Sequence, residues 1–155
     1  MKFSANLGFL WQDRPLPEAI RAAKAAGFDA VECHWPYDTP AALVRAALDE
    51  TGLPILGLNT LRGRSGENGL SALPGREDEA QAAIDQAIAY ATATGTRNIH
   101  VMAGFAEGSA AHQSFVTNLR YACNQAAPAG LRILIEPLNP YDAPGYFLGS
   151  TGQAA

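Results

Sequence analysis

Cysteine is scarce in this sequence. Cys33 and Cys123 stand far apart with no spacing that resembles a ligand pair. That argues against a cross-linked secreted scaffold and fits a reducing, cytoplasmic setting. Both are expected as small core hydrophobes. Long apolar runs are missing too. Nothing approaches the ~20 residues that a membrane-spanning helix needs, and the N-terminal MKFSANLGFLWQD lacks the apolar centre and cleavage site of a signal peptide. There is no basic block. The net charge is −4 and the pI about 5.3, so neither nucleic acid nor a membrane is the expected partner. Arg62 and Arg64 come nearest to a basic cluster and read first as solvated loop charges. No glycine fingerprint of the nucleotide-binding kind follows the first strand, which removes the main support for a dinucleotide or P-loop sheet.

What is present is a regular alternation. Strands are predicted at Phe3 to Leu7, Phe28 to Glu32, Pro54 to Asn59, Asn98 to Met102 and Leu131 to Glu136. Helices are predicted from Pro15 to about Ala26, from Pro40 to Thr51 with Thr39 as N-cap, from Arg76 to Thr94, and from Ser109 to Ala127. The last of these carries Phe115, Leu119, Ala122 and Cys123 on one side. Gly27, Gly52 and Gly95 punctuate the helix ends. Residues 60–75 form a loop long enough to invite a functional reading. The tail after Pro140 reads as a loop and then the first residues of another helix.

The order βαβαβαβαβ implies parallel strands with right-handed crossovers. Polar residues stand at all five strand ends: Asn6, Glu32, Asn59, His100 and Glu136. A (β/α)8 barrel gathers such residues on one face, where its chemistry happens. We therefore expect a partial (β/α)8 TIM barrel, an α/β fold of about five parallel strands and four helices. Residues 1–155 would form a single domain, the N-terminal part of such a barrel with the C-terminal strands absent. A complete barrel takes about 250 residues.

Several runs then resemble one family. They are GFDAVE (27–32), PYD (36–38), GLNT (57–60), ENGLSALPGRE (67–77), HVMAG (100–104), NLRYA (118–122) and IEPLNPYDAPGYFL (135–148). Together they resemble hydroxypyruvate isomerase, of the xylose-isomerase-like barrel superfamily. GFDAVE alone is common among sugar isomerases and epimerases. LPGRE, HVMAG and IEPLNP in this order are more specific. The resemblance implies an enzyme that interconverts hydroxypyruvate and tartronate semialdehyde with a divalent metal, Mg or Mn. It also implies two glutamates flanking the substrate, one from the fifth strand and one from the eighth. Glu136 matches the first. The second glutamate and the remaining metal ligands of such enzymes lie beyond the position of Ala155, so catalysis in this chain is expected to be incomplete.

The residues carry their own reading. Glu136 ends a buried strand, where a carboxylate is costly unless paired or metal-bound. It is the candidate catalytic and metal-binding residue, as proton carrier, ligand or both. The plainer reading is a helix cap or a partner for an arginine. Arg76 is a candidate for the substrate carboxylate, because arginine binds carboxylates as a fork; Arg62 is a weaker one. His100, Asn59, Glu32 and Asn6 are candidate substrate-binding residues, each with a structural alternative as a core or loop-satisfying group. His34, Trp35 and Tyr37 are candidate walls of the pocket, and Pro137 and Pro140 fix the loop after the fifth strand. The expected substrate is a small hydroxy-oxo acid. Two other readings stay open: a ketose 3-epimerase-like sugar isomerase, and a non-catalytic half-barrel that self-associates through its open edges.

Overall fold

Each strand is only three residues long, and the elements alternate without exception. The computed structural model of the protein describes residues 1–155. It contains β1 (Ser4–Asn6), α1 (Leu16–Ala25), β2 (Ala30–Glu32), α2 (Ala41–Thr51), β3 (Gly57–Asn59), α3 (Glu77–Thr94), β4 (Asn98–His100), α4 (Gly108–Ala126), β5 (Arg132–Leu134) and a short α5 (Thr151–Ala154). Every paired neighbour is parallel. Asn6 stands level with Glu32, and Asn59, His100 and Leu134 form one row across β3, β4 and β5. Between β2 and β3 the ladder continues through the backbone: Leu56 N–H donates to Val31 O at 2.8 Å, and Cys33 N–H to Gly57 O at 3.1 Å. The five strands thus follow one another in chain order as a single arc. β1 and β5 do not pair with each other, so the arc is open.

Strand periodicity explains the two faces. Ala5, Val31, Leu58 and Ile99 point outward and are fully buried under the helices. Ile20, Val44 and Leu48 cover β1 and β2, while Ile84, Ala87 and Ala122 cover β3 and β4. Each such branched side chain contributes about 1.5–3 kcal/mol of apolar burial. The other face carries the polar row and is open to solvent, with Leu134, level with His100, 42% exposed on it.

Three local expectations change. Thr39 does not cap α2; the cap position is Pro40, with no side-chain bond, because Thr39 closes a 3-10 turn over Pro36–Asp38 instead. Cys123 is exposed while Cys33 is buried. The buried stripe of α4 runs through Ala111, Phe115, Asn118, Ala122 and Ala126, and one residue beyond Ala122 turns about 100° away from it. Finally, β5 ends its pairing at Leu134, two residues before Glu136. No helix is long and apolar enough to cross a membrane.

Candidate active site

The strand ends do converge. A cleft of about 590 Å³ opens at the C-terminal end of the arc, and Asn6, Glu32, Asn59, His100 and Glu136 all line it. His34, Trp35 and Met102 complete much of the wall. Because Glu136 lies two residues past Leu134, the alternation returns it to the inner side, one step above the row of Asn59 and His100. Its carboxylate is 64% exposed and reaches to 3.7 Å from His100 Nδ1. That approach is electrostatic and too long for a hydrogen bond.

His100 is nearly enclosed. Burial lowers its pKa below the usual imidazole value, Glu136 pulls the other way, and His34 adds to the lowering. Its Nε2 is buried and has no hydrogen-bond partner. Leaving such a group unpaired costs about 1–3 kcal/mol; the nitrogen on the carboxylate side is Nδ1. His34 is also lowered, first by burial, with Glu32 and Glu136 opposing and Arg62 assisting. Both imidazoles are therefore neutral near pH 7. Gly8 makes room for the His34 ring: a Cβ there would lie 2.1 Å from its Nδ1.

The loop of residues 60–75 is lashed across the exit of β4. Thr60 N–H donates to His100 O at 2.9 Å, Met102 N–H to Thr60 Oγ1 at 3.0 Å, and Ala72 N–H to Ala103 O at 2.7 Å. Asn118 of α4 donates from Nδ2 to Ser71 O at 2.9 Å. The loop also delivers Asn68 to the cleft. Neither periodicity nor strand position singles out that residue. Trp35 donates from Nε1 to Thr60 O at 3.1 Å and so fixes the opposite wall.

Not every candidate arrives. Arg76 does not line the cleft. Its guanidinium is held by Glu67 and by Glu79, the latter at 2.6 Å, so its fork is occupied by carboxylates of the protein itself. Tyr37 lies on the helix side, edge-on to Tyr90. Tyr146 was not foreseen: it buries against the β4–α4 turn, its hydroxyl accepting from Ala103 N–H at 2.8 Å. Burial pushes it up to about 12, while the Ala103 bond acts to lower it and Glu136 to raise it.

The donor set bears on metal binding. Glu136 is an oxygen ligand of the kind that Mg or Mn takes. No group of three or more His, Cys, Asp and Glu side chains converges anywhere in the chain. The residues present do not by themselves fit a complete metal site.

Comparison with known proteins agrees with this geometry. Residues 20–155 match the sequence profile described as xylose isomerase-like TIM barrel. A protein of Cupriavidus necator named 2-oxo-tetronate isomerase is 42% identical, the match covering 99% of this chain and 62% of that protein. A human protein named "Putative hydroxypyruvate isomerase" is also 42% identical, covering all of this chain and 60% of its own length. A crystal structure from Brucella melitensis, titled AP endonuclease, family 2, superposes with a TM-score of 0.91 at 37% identity, over 99% of this chain and 63% of that one. The chain thus spans about six tenths of the length of the relatives it matches.

Proposed function

The chain belongs to the xylose isomerase-like TIM barrel family, and from that premise we propose that it carries the proton-transferring carboxylate of an isomerase of short hydroxylated 2-oxo acids. The single observation that carries the reading is the placement of Glu136. It is an exposed carboxylate at the C-terminal end of a parallel arc, facing a polar cleft beside a neutral, partnerless imidazole. The names of the relatives support the substrate class, since hydroxypyruvate and 2-oxo-tetronate both join a carboxylate to a carbonyl and a neighbouring hydroxyl-bearing carbon.

The reaction is a 1,2 shift. Glu136 takes the proton from C3 of hydroxypyruvate. The C–H electron pair becomes the C2–C3 double bond, and the carbonyl electrons move onto the C2 oxygen, giving an enediolate. Return of the proton at C2, with the C3 hydroxyl proton passing to the C2 oxygen, leaves tartronate semialdehyde. His100 Nδ1, on the Glu136 side of the ring, and the amides of Asn6 and Asn59 are proposed to hold the substrate oxygens during the shift.

A second reading has its own observation. Phe9, Leu56 and Leu134 are exposed along an arc whose end strands each lack a neighbour, which favours a self-associating half-barrel. Incubation with hydroxypyruvate, followed by NMR, tests the isomerase reading. The expected result is exchange of the C3 hydrogens of hydroxypyruvate with solvent, with neutral ketohexoses unchanged. Epimerisation of a ketohexose with hydroxypyruvate untouched would overturn it in favour of a sugar epimerase.

A further inference from the structure

We propose that Arg62, stacked on Trp35 beside the cleft, binds the carboxylate of the substrate. This assignment rests on the isomerase reading above and supplies what that site otherwise lacks. The charges around the cleft set the problem. Glu32 and Glu136 both line it, so an anionic substrate meets two carboxylates. A 2-oxo acid needs a cation at the edge of such a site.

Three arginines are placed on or next to the loop over the cleft. Arg76 is held by Glu67 and Glu79, and Arg64 lies 3.8 Å from Glu79. Arg62 is in no ion pair. It is exposed, yet it is not adrift: its guanidinium carbon sits 4.6 Å from the centroid of the Trp35 ring. A guanidinium placed over an aromatic ring and in no ion pair keeps N–H donors for a carboxylate, which arginine binds with two parallel hydrogen bonds. The platform is itself fixed, since Trp35 is bonded to Thr60 O and packs edge-on to His34, with ring centroids 5.1 Å apart. Trp35 and His34 both face the cleft. The backbone of Arg62 is pinned as well, its carbonyl accepting from Gly69 N–H at 2.8 Å. Arg62 does not itself line the cleft, but it is an uncommitted cation held over Trp35, a residue of the cleft wall.

The test is binding, read by the tryptophan platform. Trp11 and Trp35 are the two tryptophans of the chain, so Trp11→Phe leaves Trp35 as the reporter. Hydroxypyruvate is titrated against Trp35 emission, and dihydroxyacetone serves as the neutral counterpart with the carboxylate replaced by a hydroxymethyl group. Arg62→Gln is expected to weaken hydroxypyruvate roughly 10- to 100-fold and to leave dihydroxyacetone unchanged. Arg62→Lys, which keeps the charge but loses the fork, is expected to fall between. If the parent binds hydroxypyruvate and Arg62→Gln binds it equally well, the Arg62 assignment fails while the isomerase reading stands. If the parent binds no 2-oxo acid, both fail together.

Discussion

At the scale of single residues the site is a contest between burial and charge at two histidines. The groups facing His100 are Glu136 and His34, and those facing His34 are Glu32, Glu136 and Arg62. Burial dominates both, so each imidazole has a lower pKa folded than unfolded, where it titrates near 6.5. A lowered folded pKa means that the unfolded chain binds the proton more readily. The stability held by the neutral imidazoles is therefore present above about pH 6.5 and is lost as the pH falls through that value. Unfolding free energy is expected to stay level from pH 8 to about 6.5 and to decline below that, with a slope below about 1.4 kcal/mol per pH unit for each histidine. Denaturant titrations of the parent and of His100→Asn check this. The substitution should flatten the slope, and a slope unchanged by it would contradict the account.

At the scale of elements the loop of residues 60–75 decides the shape of the site, and it was the part least legible in sequence. The strand ends could be read because period-two alternation turns a polar residue at the end of an apolar run into a position on a face. That logic placed Asn6, Glu32, Asn59, His100 and Glu136 together. It had no purchase on Asn68 or on the pairing of Arg76 with Glu67, which depend on the path of an irregular segment. Thr39 misled for a related reason: a 3-10 turn immediately upstream used the position first. The loop path rests on a close approach. Gly69 has φ of 117°, and a Cβ there would stand 2.5 Å from the backbone of Met102. Gly69→Ala is expected to destabilise the protein by about 2–4 kcal/mol. Gly66, at φ of 87° with nothing within 4 Å, is the control, and Gly66→Ala should cost only about 1 kcal/mol of backbone strain. Equal costs in urea unfolding would show that the packing of Gly69 on Met102 is not what holds the loop.

At the scale of the whole molecule the strand order was plain from the βαβ alternation, whereas the open arc followed only from counting strands against a closed barrel. The consequence is exposed apolar surface. Phe9 is 71% exposed and Leu134 42%, and the outer edges of β1 and β5 offer unpaired backbone groups. Such edges favour association between copies. Light scattering is expected to give a mass that rises with concentration, reduced by Leu134→Ser. A strictly monomeric chain over the same range would remove the self-association reading.

The central claim is that Glu136 moves a proton at carbon. It is tested most directly by incubating the protein with hydroxypyruvate in D2O and following the C3 hydrogens by NMR. The half-reaction needs only the carboxylate and a bound substrate. We expect exchange at C3 faster than in buffer alone, and a loss of about 100-fold or more in Glu136→Gln, whose exposed side chain should leave stability within about 0.5 kcal/mol of the parent. Exchange no faster than in buffer, or exchange that survives Glu136→Gln, would contradict the claim.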